Sequence, residues 1–335
     1  MNGFRKAFAA VAIAMLLGTG MTPAVAQDAI NPTALSVQEE ELSQALGPRD
    51  TLSGRISIPD QRAADLEKPG NKDWVWGNRV ISDRVLGAAF ILPLLAVIIF
   101  YVVVGRLELE NGRSGRTITR FGLFERVVHW TMAASFIVLA LSGLNLAVGR
   151  YLVLPWLGED AFGTVTALGK TAHNYLAWPF MLAVVLSFFL WIRHNIPSRL
   201  DIEWFKSGGG LLKNGQHPPA RKFNAGQKLV FWIVIFGGGL VALSGLALMF
   251  PYLIAAPWQW QMAQIIHALI AAGMVAMVIG HIYIATAGSE GALEGMTTGD
   301  VDVNWAEQHH SLWYEEEMAK GRAPRSAPAS VTPAE

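Results

Sequence analysis

Residues 264–286 read QIIHALIAAGMVAMVIGHIYIAT, an apolar run with one histidine near each end. About 20 such residues cross the ~30 Å hydrocarbon core of a membrane as an α-helix. Histidine is costly to bury in a membrane, so the default interpretation of His267 and His281 is functional. The stretch therefore predicts a membrane-spanning helix that carries chemistry.

Four similar apolar runs precede this one, and together they predict an all-α integral membrane helical bundle with five spans. Of the 335 residues, 52% are hydrophobic and 16% are charged, which disfavours an ordinary soluble domain. The earlier runs cover about residues 86–105, 127–148, 172–192 and 229–252.

The N-terminal residues 1–26 have the pattern of a secretory signal peptide. Basic residues precede an apolar stretch over residues 7–18, and Ala-Val-Ala ends the segment. The alternative is an uncleaved membrane helix, which the stretch disfavours because it is shorter than the ~20 residues of a span. Residues 27–82 then form a polar periplasmic segment.

The basic residues predict the orientation, because Lys and Arg flanking the spans are retained on the cytoplasmic side. The first connection carries five arginines and the third carries seven basic residues, whereas the fourth carries none. The mature N-terminus is therefore expected in the periplasm and the tail, residues 291–335, in the cytoplasm. Residues 83–118 are expected to form one extra transmembrane helix and a cytoplasmic linker, and residues 119–290 the main membrane domain.

Composition also excludes several classes of function. The chain has no cysteine, so it cannot hold disulfides, iron–sulfur clusters or covalently attached haem. Its formal net charge is zero, and no basic patch with interleaved aromatic residues predicts nucleic-acid binding. Histidine must therefore supply any metal ligation.

Four histidines lie in or at the edge of the spans and separate into two layers. His267 and His281 are 14 residues apart, about 21 Å along one helix face. The topology places His173 at the depth of His267 and His129 at the depth of His281. Two imidazoles at one depth on facing helices are the axial ligands of a six-coordinate haem iron, so the pattern predicts two haem b groups. The alternatives are four hydrogen-bonded core histidines, or a zinc or copper site.

The other four histidines fall in polar segments and are expected to be solvated rather than to bind haem: His194, His217, His309 and His310. An internal echo repeats Ala-Leu-Ser-Gly-Leu at residues 140–144 and 242–246. Its small residues indicate close helix packing. The alternative is clearance for a porphyrin.

Polar residues Asn224 and Gln227 open the fourth span at about the level of the inner histidine layer. Their amides are candidates to bind a quinone carbonyl. Asn followed three residues later by Gln is also a capping box, the signature of a helix start. Both interpretations remain open.

Several strings outside the spans resemble the gamma subunit of membrane-bound formate dehydrogenases, a di-haem cytochrome b that reduces quinone. The resemblance covers about residues 120–317. The strings are ERVVHW (125–130), RHNIP (193–197), DIEW (201–204), KFNAGQK (222–228) and HHSLWY (309–314).

The resemblance implies a four-helix di-haem cytochrome b core, to which this chain adds an N-terminal transmembrane helix. It implies that His129 and His281 hold the cytoplasmic-side haem iron, that His173 and His267 hold the periplasmic-side one, and that quinone binds beside His281 and Asn224. The implied partners are an iron–sulfur beta subunit, a molybdenum or tungsten alpha subunit that oxidises formate, the quinone pool and the lipid of the bacterial inner membrane.

The expected function is electron transfer from the beta subunit through two b haems to quinone near the cytoplasmic face. One alternative is a di-haem anchor of another oxidoreductase, such as a hydrogenase or thiosulfate reductase. A second is a transporter or assembly protein whose histidines bind no haem.

Overall fold

A computed structural model describes residues 80–210, 218–250 and 257–326 of the chain. The predicted signal peptide and nearly all of the periplasmic segment lie outside these residues, as do His217 and the end of the tail. In the described part, five helices are long and apolar enough to cross a membrane, which confirms the predicted helical membrane bundle.

The five spanning helices are followed by a small domain, and the first and third connections between them are long. A π-helical turn over Val80–Leu86 leads into the first helix, and a second one over Ile284–Gly288 follows the last. The spanning helices are α1 (Gly87–Val104), α2 (Leu123–Leu152), α3 (Leu154–Trp191), α5 (Ala225–Met249) and α6 (Pro257–Tyr283). The remaining elements are β1 (Arg116–Thr119), α4 (Arg199–Lys206), α7 (Glu294–Thr297), β2 (Asp300–Asp302), α8 (Val303–Ala319) and β3 (Arg325–Ser326).

Two helices are longer than the apolar runs that predicted them. Helix α2 has 30 residues and α3 has 38, and the part of α3 after Gly158 is about 50 Å long by the standard rise. Hydropathy marks only the part of a helix that faces lipid, whereas the hydrogen-bonded backbone continues into polar sequence. Gly158, with φ 75°, interrupts α3 near its start in a conformation that favours glycine.

Helix α1, the extra span, packs on α6 and leaves most of its surface exposed. Its side of the contact includes Phe100 and Tyr101, whose rings both meet the edge of the Tyr283 ring, at centroid distances of 6.1 and 6.4 Å. Val102 and Val103 are 77% and 70% exposed. A helix this apolar and this exposed requires lipid or another protein around it.

The first connection, the third connection and the tail meet at one end of the bundle and form a cap. Strand β1 pairs with β2 and β3 in an antiparallel three-stranded sheet, which the sequence did not predict. Helix α8 covers this sheet. The buried core of the cap consists of Leu109, Ile118, Val301, Trp305, Ala306 and Trp313.

The linker after α1 is an integral part of this cap. Leu107 exchanges backbone hydrogen bonds with Gly288 and Glu290, each 2.9 Å long. Arg113 forms ion pairs with Glu290 at 3.1 Å and with Glu294 at 2.7 Å. Burial raises the pKa of Glu290, but the hydrogen bond from Leu109 N and the charge of Arg113 outweigh it and hold the pKa below its ordinary value.

Candidate functional site

The outer histidine pair joins α3 to α6. The ring centroids of His173 and His267 are 6.2 Å apart, with 58° between the ring planes. Beside this pair lies a cavity of about 400 Å³ with a largely apolar lining. Leu86 and Ala89, in and just after the turn that leads into α1, form part of its wall. The extra span therefore helps to enclose the outer site.

The inner histidine pair joins α2 to α6 near the cap. The ring centroids of His129 and His281 are 6.4 Å apart, again with 58° between the planes. The neighbouring turn of α2 is anchored to the cap, because Arg126 Nη1 donates to Thr297 O and Trp130 Nε1 donates to Met296 O, both at 2.8 Å. The depths predicted from the sequence paired His129 with His281 and His173 with His267, and the structure brings the same residues together.

The spacing within each pair fits one iron between two imidazoles. An imidazole nitrogen binds a first-row transition metal at about 2.0 Å and lies about 1.2 Å from its ring centroid, so two imidazoles on one metal place their centroids about 6.4 Å apart. The observed 6.2 and 6.4 Å agree with this value. Within the described residues, no group of three or more His, Cys, Asp or Glu side chains converges on a metal site, unlike a zinc or copper centre.

Comparison with known proteins agrees with this geometry. The family model for prokaryotic cytochrome b561 matches residues 120–299. The chain belongs to the prokaryotic cytochrome b561 family. Membership implies haem b as the cofactor, and the residues of both pairs fit that group.

Individual relatives of this cytochrome carry more specific names. The cytochrome b556 subunit of the nitrate-inducible formate dehydrogenase of Escherichia coli (strain K12) is 31% identical over 208 residues, covering 61% of this chain and 93% of that subunit. A second E. coli K12 protein, the cytochrome b556(fdo) subunit of formate dehydrogenase, is 31% identical over 203 residues, 60% of this chain and 93% of its own. A formate dehydrogenase cytochrome b556 subunit of Haemophilus influenzae is 28% identical over 220 residues, 64% of this chain and 88% of its own. The resemblance drawn from the motifs is confirmed.

The candidate quinone residues of the cytochrome form the predicted capping box. Asn224 Oδ1 accepts from Gln227 N at 3.0 Å, and Gln227 Oε1 accepts from Asn224 N at 3.1 Å. Arg120 Nη2 donates to the same Gln227 oxygen at 3.3 Å. The oxygens of both amides thus serve the cap, and a quinone carbonyl, which is itself an acceptor, could bind only an NH₂ group of these residues.

The repeated Ala-Leu-Ser-Gly-Leu motif of the cytochrome faces the outer histidines. A methyl group added to Gly143 would lie 3.4 Å from His173 Cε1, and one added to Gly245 would lie 3.1 Å from His267 Cε1. The two glycines thus make room for the rings. Gly280, next to His281, faces open space, since no atom lies within 4 Å of an added methyl group.

The cap of the cytochrome contains a buried pair that the sequence did not reveal. Arg120 Nη2 lies 2.9 Å from His310 Nε2, and His310 Nδ1 lies 2.7 Å from Arg221 O. The expectation that His310 is solvated was wrong, because its side chain is fully buried. Burial, and secondarily the charge of Arg120, hold the pKa of His310 well below its ordinary value. No local pattern around His310 signals this burial, which depends on contacts with segments about 90 and 190 residues away.

Proposed function

We propose that this chain is the membrane cytochrome b subunit of a formate dehydrogenase, which carries electrons from an iron–sulfur beta subunit through two b haems to quinone. The observation that carries the proposal is the presence of two histidine pairs with ligand spacing. His267 and His281, one from each pair, are 14 residues apart along α6, or about 21 Å. A single-haem protein needs only one such pair.

The histidines have distinct tasks in this proposal. His173 and His267 hold the outer haem, and His129 and His281 hold the inner one. Haem supplies a one-electron iron couple between two fixed imidazoles. The largely apolar lining of the cavity beside the outer pair disfavours water, and the small residues beside the outer rings leave space for a macrocycle.

The orientation follows from the charges around the cap. Its connections hold most of the basic residues near the spans, which favours the cytoplasmic side of a bacterial inner membrane. The outer pair then faces the periplasm. Moving one electron inward against 100 mV costs about 2.3 kcal/mol, so oxidation outside and quinone protonation inside would conserve energy as membrane potential.

The formate-oxidising chemistry is assigned to a partner. The chain has no cysteine for iron–sulfur clusters, so a beta subunit must deliver electrons from a molybdenum or tungsten alpha subunit. The names of the relatives favour formate dehydrogenase over the alternative, an anchor for a hydrogenase or thiosulfate reductase. Identification of the subunits that copurify with the tagged chain separates these alternatives.

The haem content of the purified chain tests this function. We expect a reduced-minus-oxidised spectrum of b type and two haems per chain by pyridine haemochrome quantification. The absence of a b-type signal from protein purified intact with its partners would contradict the proposal and would favour a transporter or assembly protein.

The quinone site is tested at Asn224, where capping and binding can be separated. Asn224→Ala removes both functions, whereas Asn224→Asp keeps an oxygen that caps the helix and has no hydrogen-bond donor. If the donor binds quinone, both variants should lower quinone turnover about tenfold, the value of one hydrogen bond of about 1.4 kcal/mol, while formate still reduces the haems. Normal turnover in Asn224→Asp would show that Asn224 acts only as a cap.

A further inference from the structure

The two copies of the Ala-Leu-Ser-Gly-Leu motif hold the two outer histidines in the same way. Ser142 Oγ lies 2.9 Å from His173 Nδ1, and Ser244 Oγ lies 3.2 Å from His267 Nδ1. Both serines are buried, each with 7% of its surface exposed. The serines come from α2 and α5, whereas the histidines come from α3 and α6, so the same contact is built twice from different helices.

The hydrogen bonds of each serine determine which ring nitrogen carries the proton. Ser142 Oγ donates to Val138 O, and Ser244 Oγ donates to Leu240 O, each four residues earlier and 2.6 Å away. With its proton used in this way, each hydroxyl can only accept from the histidine. Each Nδ1 must therefore be the N–H donor, and Nε2 is left with the free lone pair that a metal requires.

A backbone carbonyl completes each arrangement. His267 Nδ1 also lies 3.0 Å from Val241 O, three residues before Ser244, and His173 hydrogen-bonds the backbone of Leu139, three residues before Ser142. A carbonyl oxygen can only accept a hydrogen bond, so this contact is independent evidence that Nδ1 carries the proton. Each outer ring therefore donates one N–H to two acceptors.

The inner layer lacks this arrangement at His129. Its Nδ1 is buried and has no hydrogen-bond partner among the described residues. The internal echo aligns His129 with Phe231, so the two halves of the repeat are not equivalent at this level. The two layers thus differ in the hydrogen bonding of their candidate ligands.

We propose that Ser142 and Ser244 are positioning residues that fix the outer histidines as Nδ1–H tautomers and lower the reduction potential of the outer haem below that of the inner one. This inference rests on the proposed function, because it requires haem at both pairs. A ligating imidazole that donates its other N–H becomes a more basic ligand and favours ferric iron. The resulting order of potentials favours electron transfer inward, towards quinone.

Redox titration of the haems in the intact complex tests the proposal. Ser142→Ala and Ser244→Ala should each raise the potential of the outer component, identified as the one missing from His267→Ala. Each variant leaves a backbone acceptor of its histidine in place, the backbone of Leu139 for His173 and Val241 O for His267, so each shift should be partial. The ferric EPR signal of the outer haem should change together with its potential, while the potential of the inner haem stays unchanged.

Ser187→Ala is the matched control, because Ser187 is also buried in the bundle, on α3, and contacts Met132 rather than a histidine. It should leave the outer potential unchanged. If Ser142→Ala does not accumulate, Ser142→Cys, with a similar shape and a weaker acceptor, should shift the outer potential in the same direction.

Two haems with unchanged potentials and EPR signals in both serine variants would overturn the inference and leave the proposed function intact. Absence of haem from the unmodified complex would instead overturn the proposed function itself.

Discussion

Replacing His281 with alanine is expected to remove the inner haem and abolish quinone reduction, while formate still reduces the outer haem. His281 shares α6 with His267 but lies about 21 Å away along the axis, so the outer pair should remain intact. The measurement combines haem quantification, which should fall from two per chain to one, with formate-driven haem reduction and quinone turnover.

The counterpart variant, His267→Ala, should give the reverse pattern. The outer haem is lost, formate no longer reduces the inner haem, and chemical reductants still do. His194→Ala is the control, because His194 belongs to neither pair and should leave two haems. Retention of two haems in either ligand variant would remove that histidine from the ligand set, and identical defects in both variants would contradict the assignment of two separate layers.

The spans and the pairing of the histidines were accessible from the sequence because both depend on local regularities. A membrane requires long apolar helices, and a fixed rise per residue converts the spacing of His267 and His281 into depth. The five spans were confirmed. The structure then placed His129 against His281 and His173 against His267, as the depth argument required.

The motif strings predicted the family before their physical role was evident. In the structure they contact one another across the cap. Glu125 binds Lys222 at 2.9 Å, and Asp201 binds Lys228 at 2.9 Å. Asn195 O of a third string accepts from Trp232 Nε1 at 2.9 Å. Each of these strings supplies one partner of a contact between segments that are distant in sequence, which makes the strings recognisable.

The cap could not be predicted because its elements are short and its contacts are distant in sequence. Strand β2 has three residues and β3 has two, which is too short for an alternating pattern to be seen. Thr117 pairs with Asp302 and Arg325, each more than 180 residues away. Sequence periodicity reports only on neighbours along the chain, so it placed His310 in solvent.

Arg120 is expected to be the most important single side chain for the stability of the cap. Its guanidinium donates to Lys222 O at 2.7 Å and lies 4.7 Å from the centroid of the Trp305 ring. Burial lowers its pKa to about 9, although the charge of Glu125 opposes this shift, so the group is charged at neutral pH. Arg120→Ala leaves buried acceptors unsatisfied at about 1–3 kcal/mol each, and the cap should open measurably.

Hydrogen exchange of the amides in β1 and α8 measures this opening. Arg322→Ala is the control, because the Arg322 side chain is 66% exposed and Lys320 still pairs with Glu317 at 2.9 Å after its removal. Equal protection in Arg120→Ala and Arg322→Ala would show that the buried guanidinium does not hold the cap together.

The partner of Arg120 should make the cap sensitive to mild acid. His310 donates from Nδ1 to Arg221 O and accepts at Nε2 from Arg120, so only the neutral ring satisfies both bonds. Its pKa is lowered on folding, so below about pH 6.5 the unfolded cap binds a proton that the folded cap does not. The free energy of cap opening should therefore fall with pH, by up to about 1.4 kcal/mol per unit between about pH 6.5 and 5.

Two carboxylates of the cap titrate below this window. Glu290 and Glu317 have pKa values below the ordinary 4.5, because their hydrogen bonds and cationic neighbours outweigh burial, which alone raises the pKa. His310→Gln offers a neutral donor and acceptor that do not titrate. In this variant, the free energy of cap opening, measured by hydrogen exchange in α8, should no longer depend on pH between 6.5 and 5. An unchanged dependence on pH would assign the acid sensitivity to another group.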